Sequence, residues 1–118
     1  MYKTTGLTHL INSTKYSLQG LKSAFINETA FRHECLMLGV LAPLAFWLGD
    51  NALEIALMIG VWLLVMALEL LNSAVECVVD RVSLERHELS GRAKDQGSAA
   101  VFVGICLTVI VWLGALLN

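Results

Sequence analysis

Between Ile55 and Leu68 no residue is polar, and the run continues without a proline into Glu69-Leu-Leu-Asn-Ser-Ala-Val-Glu-Cys-Val-Val-Asp80. As a helix, the stretch from Leu53 to about Val79 would extend roughly 40 Å, against about 30 Å of bilayer hydrocarbon. Such a segment spans a membrane and leaves its surplus turns outside. At about 100° per residue, Glu69, Glu76 and Asp80 fall within roughly 40° of one another, with Asn72 about 60° from Glu69. Acidic side chains in the last turns of a membrane-length helix are costly, and by default they mark a functional site.

The rest of the chain fits that frame. Its 118 residues make one domain, 57% hydrophobic and 15% charged, outside the range of a soluble globular chain. A net charge of -2 argues against a nucleic-acid binder. Cys35, Cys77 and Cys106 have neither disulfide nor metal-ligand spacing and read as small packing residues. No phosphate-binding GxxxxGK[ST] loop, kinase catalytic-loop signature or HExxH motif occurs.

The expected fold is an all-α integral membrane protein with three spans and an amphipathic surface helix. Residues 8–27 place Leu10, Ile11, Leu18, Leu21 and Phe25 at helical spacing among polar residues. A first span is expected over about 30–49, with Pro43 kinking it and Trp47 at an aromatic belt. Gly49-Asp50-Asn51 makes a tight turn, so the second span, about 53–80, runs antiparallel to the first. A charged loop follows over 81–90, where Ser90 is positioned to cap the next helix. The third span, about 91–117, starts with an extension whose Gly97-Ser98-Ala99-Ala100 offers a small-residue packing face.

All eight basic residues lie on two segments: Lys3, Lys15, Lys22 and Arg32 before the first span, and Arg81, Arg86, Arg92 and Lys94 between the second and third. The positive-inside rule makes both segments cytoplasmic. The turn near Asp50 and the C-terminus then face the other side. Glu69 lies near the inner boundary of the acyl region, placed to accept a proton from a lipid hydroxyl. Glu76 is about 10 Å further out along the helix, and with Glu28 it could hold a hard divalent cation beside phosphates. Asn72 lies between them, and Lys94 and Asp95 open the next helix on the same side, Lys94 as a cation for phosphate.

Each residue also has a plainer reading. Glu69 and Asn72 could be interhelical hydrogen-bonding groups. Asp80, Glu85 and Glu88 could be solvated charges, Glu28 and Glu34 interfacial charges, and His87 a loop residue. The tryptophans Trp47, Trp62 and Trp112 suit packing or a belt. Spacing by itself stops at a membrane protein with a metal-capable cytoplasmic mouth.

Glu69-Leu-Leu-Asn72-Ser73-Ala74-Val75-Glu76 with Val79-Asp80-Arg81, His87-Glu88-Leu89-Ser90-Gly91-Arg92-Ala93-Lys94-Asp95 and Gly97-Ser98-Ala99-Ala100-Val101 resembles the bacterial integral-membrane diacylglycerol kinase family. Asn27-Glu28, Ala30-Phe31-Arg32 and Glu34 match as well, so the resemblance covers nearly the whole chain. It implies a homotrimer in the bacterial inner membrane, with the turn near Asp50 and the C-terminus periplasmic. The implied reaction transfers the γ-phosphoryl group of MgATP to diacylglycerol, giving phosphatidate.

By the same resemblance Glu69 is the base, and Glu28 and Glu76 bind Mg²⁺ through the nucleotide. Tyr16, Glu85, His87, Lys94 and Asp95 contact ATP, with Asn72 and Asp80 in support. Ser17, Arg32, Glu34, Trp47, Ser98 and Trp112 border the lipid path. His9 stands where the family pattern has arginine, and Leu18 and Phe25 stand where it has indoles. An undecaprenol kinase of the same fold is the nearest alternative, disfavoured by the His87–Gly91 stretch. A non-enzymatic membrane assembly, with the polar stripe as interhelical glue, is the other.

Overall fold

The computed structural model describes residues 6–118, so Lys3 lies outside the described residues. Four helices follow in order: α1 (Gly6–Asn27), α2 (Thr29–Leu48), α3 (Ala52–Val82) and α4 (Glu88–Leu117). Among the described residues there is no strand. Helices α2, α3 and α4 are each long and apolar enough to cross a membrane. Their outward faces carry Leu36, Phe46, Leu64, Phe102 and Ile110 uncovered, a surface that water would penalise and acyl chains accept.

Local chemistry sets the helix ends. The Asn51 side chain accepts from the Glu54 amide at 2.9 Å and caps α3, while Glu54 accepts from the Asp50 amide at 3.2 Å. Together these fix the turn between α2 and α3. At the other end of α2, Arg32 donates to the carbonyls of Phe25 (3.0 Å) and Ile26 (2.9 Å) and to Thr29 Oγ1 (3.1 Å). A guanidinium on the terminal carbonyls of α1 satisfies groups that have no helical partner, and it ties α1 to α2. The α2 helix continues through Pro43.

The third helical start differs from expectation. Residue His87, not Ser90, is the N-cap of α4, its Nδ1 accepting from the Leu89 amide at 3.0 Å. An imidazole nitrogen fills the role of the usual hydroxyl, so α4 begins at Glu88, ahead of the expected start. Of the cysteines, Cys35 packs against buried core, whereas Cys77 and Cys106 are exposed on the single chain.

Two buried clusters hold the helices together. At one end Ala45, Met58 and Ala115 meet, joined by Ile55, Val111 and Trp112. At the other, Ala24 of α1, Phe31 and Met66 meet beside Cys35, Trp62 and Leu70. Each cluster carries an indole N–H that donates across helices, Trp112 to the Met58 carbonyl (3.1 Å) and Trp62 to the Glu34 carbonyl (3.0 Å). In a lipid surround such donors need a partner, and here they stitch α3 to both neighbours.

Helices α3 and α4 pack tightly at Gly104, where an added Cβ would lie 2.9 Å from Leu68 Cδ1 and 3.2 Å from Val65 Cγ2. Gly104→Val is therefore expected to destabilise the protein by about 1–3 kcal/mol through overpacking. Thermal unfolding in detergent checks this; an unchanged midpoint would contradict the tight seam.

Candidate active site

Where α3 leaves the apolar zone, Glu69 is buried, 8% exposed, although it is a carboxylic acid. Its Oε2 accepts from Asn72 Nδ2 at 3.2 Å, a pairing that the one-turn spacing on α3 makes possible. The other face of the Asn72 carboxamide, Oδ1, is buried without a hydrogen-bond partner and lies against Gly97 of α4. From α2 the half-buried Glu34 faces Glu69 closely enough for their charges to repel, and its Oε1 is also buried and unpaired. Glu34, Glu69 and Asn72 thus form one polar cluster at the seam of α2, α3 and α4.

Further along the same stripe, Asp80 is ion-paired with Lys94 of α4, Oδ1 to Nζ at 2.8 Å, with both side chains almost half exposed. Lys94 is also within electrostatic reach of Glu76. The loop beyond closes a cavity of about 460 Å³ lined by Asp80, Glu85, His87, Glu88, Gly91 and Lys94. With His87 Nδ1 accepting the capping bond, a neutral imidazole carries its proton on Nε2, leaving a donor on a cavity-lining side chain. Two cations, Lys94 and Arg86, with a ring N–H and a glycine suit a phosphate chain better than an apolar ligand.

A second groove, about 640 Å³, runs between α1 and α3 and is lined by Ser17, Asn27 and Glu28 on one side and Leu70, Ser73 and Cys77 on the other. Glu28 therefore shares this groove with Ser73 and Cys77, whereas Glu76 does not line it. Among the described residues no three His, Cys, Asp or Glu side chains gather as a metal site. Two carboxylates suit a hard cation only when phosphate and water complete its shell, as is usual for magnesium with a nucleotide.

The expected site residues divide accordingly. Asp80, Glu85, His87 and Lys94 share the loop cavity, Ser17 and Glu28 share the α1 groove, and Glu34, Glu69 and Asn72 cluster between. Glu76 is half-buried on the stripe between cluster and cavity, and Asp95 and Ser98 are exposed on α4. Tyr16 is exposed on α1 and lines neither cavity nor groove. The Arg32 guanidinium is committed to the end of α1.

Trp47 and Trp112 are not brought to Glu69. Trp112 is tied to Met58, about 16 Å from Glu69 by the helical rise, and Trp47 is 79% exposed near the opposite end of the molecule. Sequence reasoning missed the contact of Gly97 with Asn72; the available signal was a glycine inside a helix, where alanine is favoured.

The family model described as prokaryotic diacylglycerol kinase matches residues 15–116. A diacylglycerol kinase of Haemophilus influenzae is 74% identical over 98% of this chain and 98% of its own. That of Pseudomonas aeruginosa is 53% identical over 97% and 93%, and that of Escherichia coli K12 50% over 92% and 89%. A match across all three spans, taking in the Glu69–Asp80 stripe and the Lys94 cavity, places the chain in the prokaryotic diacylglycerol kinase family.

Proposed function

We propose that the protein is an ATP-dependent diacylglycerol kinase, transferring the γ-phosphoryl group of MgATP to the free hydroxyl of 1,2-diacylglycerol and releasing phosphatidate and ADP. The observation that carries the reading is the stripe on α3: a buried carboxylate held by Asn72, continuous with an ion-paired lysine beside a polar cavity. The lipid hydroxyl oxygen attacks the γ-phosphorus, the bond from that phosphorus to the bridging oxygen of ADP breaks, and Glu69 takes the hydroxyl proton. Lys94 and His87 hold the phosphates, and Asn72 keeps the Glu69 carboxylate oriented. Glu28 and Glu76 would hold Mg²⁺ through the nucleotide, which supplies charge neutralisation on the transferring phosphoryl group.

Charge distribution supports a cytoplasmic loop cavity, open to nucleotide in the bacterial inner membrane, with the Asp50 turn and the C-terminus periplasmic. Three spans are too few to enclose both a nucleotide and a lipid, which supports a homotrimer in which neighbouring chains complete each site. Trp47 and Trp112, displaced along the membrane normal from Glu69, would border the acyl chains of the lipid rather than its reacting hydroxyl.

The test is phosphorylation by purified protein in mixed micelles, with diacylglycerol and undecaprenol offered separately. Phosphatidate should form in preference; preference for the polyprenol would overturn the assignment. Chelating divalent cations should stop transfer, and magnesium should restore it. The thermal midpoint should not move on chelation, because the ion arrives with the nucleotide; unfolding on chelation would point instead to a resident structural metal.

A further inference from the structure

Two glycines of α4 sit where an added Cβ would strike α3, but they strike different things. Gly104 meets the aliphatic carbons of Leu68 and Val65, an ordinary packing seam. At Gly97 the three nearest atoms all belong to Asn72: the Cβ would overlap Oδ1 outright and lie 3.3 Å from Cγ and 3.7 Å from Cα. That same Oδ1 is buried and accepts no hydrogen bond, while the amide half of the group donates to Glu69 Oε2 at 3.2 Å. A carboxamide with an unpaired oxygen has no bond on that side to choose its rotamer. The space it occupies must choose it, and that space exists because residue 97 has no side chain.

We propose that Gly97 is a positioning residue for phosphoryl transfer: its bare Cα leaves the slot that holds the Asn72 carboxamide with its N–H₂ aimed at the Glu69 carboxylate. Filling the slot turns or displaces the carboxamide and leaves Glu69 to find another orientation. A misplacement on the scale of an ångström at a reacting group costs about 10²-fold in rate. The role concerns geometry at Glu69, so neither nucleotide nor lipid affinity should change with it. A helix interior otherwise favours alanine over glycine, so a purely local effect of Gly97→Ala would be stabilising.

A double-mutant cycle separates this role from packing. Gly97→Ala in the native background is expected to lower kcat about 10²-fold, with KM for MgATP and for diacylglycerol within about twofold. In the Asn72→Ala background, where the clashing group is gone, the same substitution should cost no more than about twofold. The thermal midpoint in detergent supplies the cycle without activity: Gly97→Ala should depress it in the native protein and not in the Asn72→Ala background. Equal losses in both backgrounds, a loss carried by KM, or a Gly97→Ala protein as active as the native one would overturn the role. Should Gly97→Ala fail to fold, folded yield is read in its place; recovery with Asn72→Ala supports the slot, and no recovery overturns it. The role rests on Glu69 as base, and the two fail differently: turnover surviving Glu69→Gln defeats the base, whereas an additive cycle defeats only Gly97.

Discussion

Replacing Glu69 by glutamine is expected to lower kcat by about 10²–10⁴-fold, the usual contribution of a positioned general base. Little else should change. Glutamine has nearly the volume of glutamate, its side-chain oxygen can still accept from Asn72, and its amide cannot take a proton from the lipid hydroxyl. Removing a charge from a residue only 8% exposed also removes a desolvation cost, so stability should hold or rise. Turnover and assembly measured on one preparation decide the matter. A variant that assembles like the native protein but has lost transfer supports the chemical role. If Glu69 were interhelical glue in a non-enzymatic assembly, Glu69→Gln would disturb assembly first and there would be no magnesium-dependent transfer to lose. Turnover within tenfold of native would remove Glu69 from the chemistry.

Much of this was legible because membrane helices leave strong signals. The unbroken apolar run from Ile55 to Leu68 could only be a long helix in lipid, and α3 is that helix. The acidic stripe needed only the helical period, and the Asn72–Glu69 bond falls within it. The His87 cap was not legible, since propensity favours Ser90 and only the path of the chain decides which side chain meets the first free amides. Nor was the place of Glu34: its repulsive approach to Glu69 depends on the rotation of α2, which a run of apolar residues on every face does not specify. Trp47 and Trp112 illustrate a different gap. Residue type suggested a lipid border, and the indole of Trp112 turns out to be tied to the Met58 carbonyl, a bond that depends on how α4 rotates against α3.

Lys94→Met should lower kcat/KM for MgATP by about 10²–10³-fold, the scale on which removing one preorganised electrostatic group slows transfer. The structure makes this a test of chemistry rather than of folding. Lys94 pairs with Asp80 at 2.8 Å, but both side chains are nearly half exposed, and an ion pair so well solvated contributes little to stability. The methionine stem can cover the same stretch of α4, so the thermal midpoint should barely move. What the variant loses is the ion-paired one of two cations, Lys94 and Arg86, in a cavity that also carries Asp80, Glu85 and Glu88, leaving three carboxylates against one guanidinium to meet a triphosphate. Asp80→Asn provides the opposite probe. It keeps the lysine and removes the anion that competes with phosphate for it, so nucleotide affinity should survive while Lys94 becomes less precisely held, lowering kcat more than it alters KM. If Lys94→Met instead lowered the thermal midpoint and left kcat/KM of the folded protein intact, the ion pair would be a strut between α3 and α4, and the phosphate-binding cation would have to be Arg86 or come from a neighbouring protomer.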